Sequence, residues 1–180
     1  MGSITSMLFI SVDREEIALP ILDWLDDNDN IWKLFEERDR QPHNSLFTFT
    51  ERHGNYFYDI INIVQRYNLE SLNFLDIDML EDGLGTILQN SELLSAIRSL
   101  TIVRDRLLDC SEPLTCLPIG YENSKEKMRI AFENSEADYK VNLNDCEESK
   151  GLFIFLKSFL FSMTDAVVNN KIFIYIKYTV

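Results

Sequence analysis

Residues 6–12, SMLFISV, form a short apolar and β-branched run and predict a first strand. Asp13 and Glu16 follow as a D-x-x-E box, in which each side chain answers an orphan N–H of a first turn, and predict a helix start. Pro20 removes a backbone donor, so this helix either kinks or restarts with Pro20 at its first position; Ile21, Leu22, Trp24 and Leu25 suit both versions. The polar cluster DDNDN at 26–30 interrupts the pattern, and Asn30 is placed to cap a short helix through Trp32, Leu34 and Phe35.

LFTFT at 46–50 sets Phe47 and Phe49 against Leu46, Thr48 and Thr50, a period of two that predicts a strand with one buried face. The stretch 56–67 has strand-like content, but Phe57, Ile60, Ile61 and Val64 fall at helical intervals, which favours a helix. From Ser91, Leu93, Ala96, Ile97, Leu100, Val103 and Leu107 recur at steps of three and four and predict an amphipathic helix capped by Ser91. Met128, Ile130 and Phe132, then Tyr139, Val141 and Leu143, alternate with polar residues on either side of NSEA and predict a β-hairpin. A second D-x-x-E box, Asp145 and Glu148, opens a Phe-rich helix that ends at Asn169-Asn170, where Asn accepts the left-handed conformation. Ile172, Ile174 and Ile176 then oppose Phe173, Tyr175 and Lys177, so the last strand is expected to be central in its sheet. Strands and helices mix without a βαβ rhythm, and no Gly, Pro or Ser-rich linker divides the chain. The expected fold is a single α+β domain with a mixed or antiparallel sheet packed against amphipathic helices.

Composition agrees with a folded chain: 180 residues, 46% hydrophobic and 12% aromatic, supply one ordinary core. The opening ten residues carry no basic segment and predict neither a signal nor a transit peptide. The longest apolar run, 151–168, contains Lys157 and Asp165 and reads as a buried helix rather than a membrane span. Its phenylalanines, Phe153, Phe155, Phe159 and Phe161, are spread around the helix, so burial on more than one side is expected, a homodimer contact among the options. Cys110, Cys116 and Cys146 are odd in number and lack CxxC spacing, which suits reduced thiols in a cytoplasm; pairing of Cys110 with Cys116 is the minor alternative.

Candidate chemistry is sparse. Asp26, Asn28, Asn30 and Glu37 fall at ligand positions of a calcium loop, but Ile31 stands where Gly must turn, so a solvated turn is the better reading and no metal is expected. GLG at 83–85 lacks the remaining residues of a nucleotide loop and is read as close packing or a bend, with no cofactor implied. The aromatics Trp24, Trp32, Phe35, Tyr56, Phe57 and Tyr58 are read as core before interface. His43 and His53 flank LFTFT and, with nearby carboxylates, define the alternative of a small-ligand-binding or hydrolytic enzyme.

Charge changes the picture. Residues 1–100 carry 18 Asp and Glu against 7 Lys and Arg, a net −11, whereas the remainder carries 12 against 10, a net −2. A total of −13 argues against direct nucleic-acid binding and against an anionic membrane, and favours a basic protein partner. The expectation is therefore a non-enzymatic interaction domain docking through Asp26, Asp27, Asp29, Glu36, Glu37 and Asp39. In size and charge alone it resembles immunity proteins, antitoxins and nucleic-acid mimics of bacteria and phages.

Overall fold

The first strand, β1 (Thr5–Val12), turns Met7 and Phe9 to one side and Leu8, Ile10 and Val12 to the other, and all five are buried. Such a segment needs cover on both faces, and the fold supplies it. In the computed structural model, which describes residues 5–17, 28–40, 46–51, 55–75, 85–109, 125–143, 146 and 148–179, β1 lies in the middle of a five-stranded mixed sheet. It pairs antiparallel with β2 (Phe47–Glu51) on one side and with β5 (Ile172–Thr179) on the other. β3 (Gly85–Leu88) borders β5 antiparallel, and β4 (Lys140–Asn142) borders β2 in parallel.

One face of the sheet carries Met7, Phe9, Phe47, Phe49, Phe173 and Tyr175 into the larger core. Helices α2 (Asn55–Arg66), α3 (Ser91–Leu108), α4 (Lys125–Asn134) and α5 (Glu148–Val168), with a 3-10 turn at Glu70–Leu75, cover it. The other face, with Ile10, Val12, Ile172, Ile174 and Ile176, packs against Leu34 and Phe35 of α1 (Asn28–Asp39). The central last strand, the helix over 56–67, the amphipathic helix from residue 91 and the Phe-rich helix all form as expected. The α+β architecture is thus one mixed sheet between helical layers.

The segment Lys150–Val168 is long and apolar enough to cross a membrane by composition. In the fold it is the central packing helix: Phe153, Phe155 and Phe159 are buried, and the Phe159 ring lies 4.6 Å from that of Phe9. Asn170 ends it at φ 53°, as expected, and Asn68 (φ 51°) follows α2 in the same conformation.

Several expectations are corrected. Residues 127–133 are not the first arm of a hairpin but the body of α4. Met128 is buried and Phe132 half-buried, while Ile130 is exposed, the reverse of an alternating strand. Arg129 also bridges Glu126 (2.6 Å) and Glu133 at helical spacing. The second arm survives as β4, whose partner is β2 instead of its neighbour in sequence. Ser91 is the first residue of α3 and Asn90 its cap position, but the Asn90 side chain serves Arg14 rather than the helix. The box at Asp13 produces one 3-10 turn, Arg14–Glu16, closed by Asp13 N–H donating to Glu16 (3.2 Å), after which Ile17 is extended. Asn30 lies inside α1, which begins two residues earlier. Gly85, read as close packing or a bend, opens β3. Pro20, Trp24, Gly83, Cys110, Cys116 and Asp145 lie outside the described residues.

Candidate functional site

The acidic residues singled out by sequence divide. Asp26 and Asp27 lie outside the described residues; Asp29 and Asp39 fall within α1. Glu36 and Glu37 are exposed on α1, because burial of Leu34 and Phe35 against the sheet turns the next two positions to solvent. Glu36 pairs with Arg40 one turn on (3.5 Å), an exposed contact of small energetic weight. Arg38 bridges Glu16, which brings the last turn of α1 beside the 3-10 turn that follows β1. Asp13 and Glu15 are exposed there, and neither Glu15 nor Glu37 has an ion pair among the described residues. Arg14, the cation in their midst, is half-buried and held by other chain segments. Its guanidinium donates to the Asn170 carbonyl (3.1 Å), Gln89 Oε1 (3.0 Å) and Asn90 Oδ1 (3.1 Å), pinning three chain segments together.

The enzymatic alternative finds no assembled centre among the described residues. His43 and His53 lie outside them, and no group of His, Cys, Asp and Glu that could hold a metal occurs within them. Asn28 and Asn30 are helical, which removes them from a calcium loop. Trp32 is half-buried and Phe35 buried, as core residues. Cys146 keeps its thiol, half-buried and directed at the Asn142 carbonyl (3.6 Å).

One polar cluster has the composition of a catalytic group. Ser11 donates to Asp165 Oδ2 (2.5 Å), Lys171 Nζ reaches the same oxygen (3.2 Å), and Asn169 donates to Oδ1 (2.7 Å). Burial pushes the Asp165 carboxyl up, but the hydrogen bonds from Ser11, Lys171 and Asn169 outweigh it and hold the group below the usual range. A carboxylate so stabilised is a weaker base, and Ser11 is buried. The cluster ties the end of α5 to β1.

Beside it runs a feature that sequence reasoning missed. Lys157, Phe161, Thr164 and Val168 form the outward stripe of α5, and with residues 135–137 they border an open groove of about 620 Å³. Phe161 is 54% and Val168 74% exposed, on a helix whose other faces are buried. The Phe161 ring stands edge-on to Phe47 at 6.2 Å, and Phe47 in turn stacks on Tyr139 at 4.4 Å. A second hollow of about 400 Å³ lies between the turn at 70–75 and the start of α3, with Glu70 and Glu92 on its rim. There Ser71 is already occupied by Ser99 (2.6 Å) and the Ser95 carbonyl (3.2 Å), so that hollow is a packing seam.

In comparisons with known proteins, no family model, no curated protein and no solved structure matches the chain.

Proposed function

We propose that this chain is a non-enzymatic interaction protein that docks a basic protein partner through the carboxylates around α1 and the adjoining 3-10 turn. One observation supports the reading: Glu37 and Glu15, exposed and without ion pairs among the described residues, each adjoin a member of the Glu16–Arg38 bridge, while Arg14 is held by Gln89, Asn90 and the Asn170 carbonyl. Clustered negative charge on a chain of net −13 speeds encounter with a positive surface and selects against acidic competitors. The mechanism is steering followed by desolvated pairing at whichever carboxylates the partner covers. It needs no cofactor.

The test is capture of partners from the native host on the immobilised chain, washed at rising salt. Screening shortens from about 10 Å at 0.1 M to about 3 Å at 1 M, so a charge-held partner elutes progressively across that range. Reversal of Glu15, Glu36 and Glu37 to Lys is expected to abolish retention, and Lys33→Glu to preserve it. A partner that survives both high salt and charge reversal refutes the reading.

A further inference from the structure

Asn90 combines a rare backbone conformation with an uncommitted neighbour. Its φ of 50° is left-handed, but its ψ of −113° lies far outside the left-handed helical well. The tetrahedral Cα carries Cβ a third of a turn round from the backbone nitrogen. This ψ therefore nearly eclipses the Cβ of Asn90 with the nitrogen of Ser91 about the Cα–C bond.

The amide that follows is available as well. Ser91 opens α3, where the first N–H groups have no partner within the helix, and its own N–H has no acceptor among the described residues. After the other two asparagines of positive φ, Asn68 and Asn170, the amide is committed: the Leu69 N–H donates to the Val64 carbonyl (2.9 Å) and the Lys171 N–H to the Ala166 carbonyl (2.7 Å). The Asn90 side chain leaves the helix uncapped, and its Oδ1 accepts instead from the Arg14 guanidinium (3.1 Å). Asn90 and Ser91 are both exposed, so water reaches them.

We propose that Asn90 is a site of spontaneous deamidation, through a succinimide formed with Ser91. The Ser91 nitrogen gives up its proton and bonds to Asn90 Cγ. The Cγ–Nδ2 bond then breaks, and Nδ2 leaves as ammonia with that proton. Water opens the ring at Cγ to give aspartate, or at the main-chain carbonyl carbon to give isoaspartate; the net change is amide plus water to carboxylic acid plus ammonia. Ring closure requires Cβ and the Ser91 nitrogen on the same side of the Cα–C bond, which the fold already provides. The Arg14 guanidinium faces the oxygen on which negative charge develops. The product adds a carboxylate to a chain already at −13, bonded to the turn that carries Glu15 and Glu16. Aspartate keeps Arg14 in place through a charge-assisted bond, whereas isoaspartate lengthens the main chain by one carbon at the start of α3 and draws the acceptor away. None of this requires a partner, so it is independent of the docking reading.

Asn134-Ser135-Glu136 repeats the tripeptide Asn90-Ser91-Glu92, which makes the chain its own control. There the Ser135 N–H is committed to the Phe132 carbonyl (3.2 Å). The native chain is incubated at mildly alkaline pH beside a sample in guanidinium chloride. Both are digested at acid pH and mapped by mass spectrometry, with aspartate and isoaspartate separated chromatographically. Native Asn90 should convert at least tenfold faster than native Asn134, and denaturant should bring the two rates together. Arg14→Gln should slow conversion at Asn90 several-fold. Equal rates at the two positions in the native chain, or a ratio that survives denaturant, would overturn the inference. An Arg14→Gln chain that converts as fast as the original would overturn the part given to the guanidinium. The comparison of the two positions uses the unaltered chain, so it stands whether or not the variant folds.

Discussion

Phe9 occupies the point where the sheet meets α5, and a double-mutant cycle there measures what holds the domain together. The residue is fully buried, its ring edge-to-face with Phe159 (4.6 Å, 73°) and stacked near Phe47 (5.0 Å) and Phe49 (5.7 Å). Truncation to Ala removes the ring and leaves a cavity among side chains that are themselves aromatic and rigid, at a cost of about 3–5 kcal/mol. Against a total stability of about 5–15 kcal/mol, Phe9→Ala approaches global unfolding, so leucine carries the quantitative measurement. Phe9→Leu and Phe159→Leu, alone and together, isolate the ring pair from simple burial; the edge-to-face contact should appear as a coupling of about 0.5–1.5 kcal/mol. Urea unfolding followed by tryptophan fluorescence and by far-ultraviolet circular dichroism supplies the free energies, and coincident transitions license the two-state treatment. Phe161→Ala, on the exposed stripe, is the internal control and should cost less than about 1 kcal/mol. A Phe9→Ala cost below about 1 kcal/mol, or a coupling indistinguishable from zero, refutes the assignment of this cluster as the mechanical centre of the fold.

Asp165→Asn should flatten the acid limb of the stability curve. The carboxyl is held below its unfolded value, so its contribution is present above the ordinary carboxylate range and is lost as pH falls through the lower folded value, as thermal unfolding between neutral and acid pH would show. Arg14→Ala, which frees the Asn170 carbonyl, Gln89 and Asn90, should lower stability by about 1–2 kcal/mol in urea, and a loss indistinguishable from zero would mean the three contacts carry nothing. Burial pushes the Tyr175 phenol up, and its hydroxyl has no hydrogen-bond partner among the described residues. Phenolate absorbance should therefore show one tyrosine silent until the fold is lost at alkaline pH. Tyr175→Phe should leave stability unchanged or raise it by about 1 kcal/mol, and a clear loss would reveal a bonded hydroxyl.

Local pattern was sufficient wherever an element's burial is written in its own residues. β5 is legible because Ile172, Ile174 and Ile176 oppose Phe173 and Tyr175, which demands cover on two faces whatever the neighbours are. The same holds for α3, whose apolar period needs only one partner surface. The end of α5 was readable from Asn170, since few residues accept φ 53°.

Tertiary structure decided what depends on partners far away in sequence. Met128, Ile130 and Phe132 satisfy a period of two, but docking on neighbouring helices buries Met128, sets Phe132 5.6 Å from Phe153 and leaves Ile130 outside, so helix wins over hairpin. β4 is three residues long and exists through its parallel pairing with β2, and β3 is too short to show a period. The proposed acidic surface depends on Arg38 meeting Glu16 across 22 positions. The groove depends on which stripe of α5 is left over once sheet, α3 and α4 have covered the rest: in sequence, Phe161 is one phenylalanine among several, and only packing makes it the exposed one. Charge and hydrophobicity are properties of the chain, whereas a surface is what remains after long-range contacts have chosen which of those residues to hide.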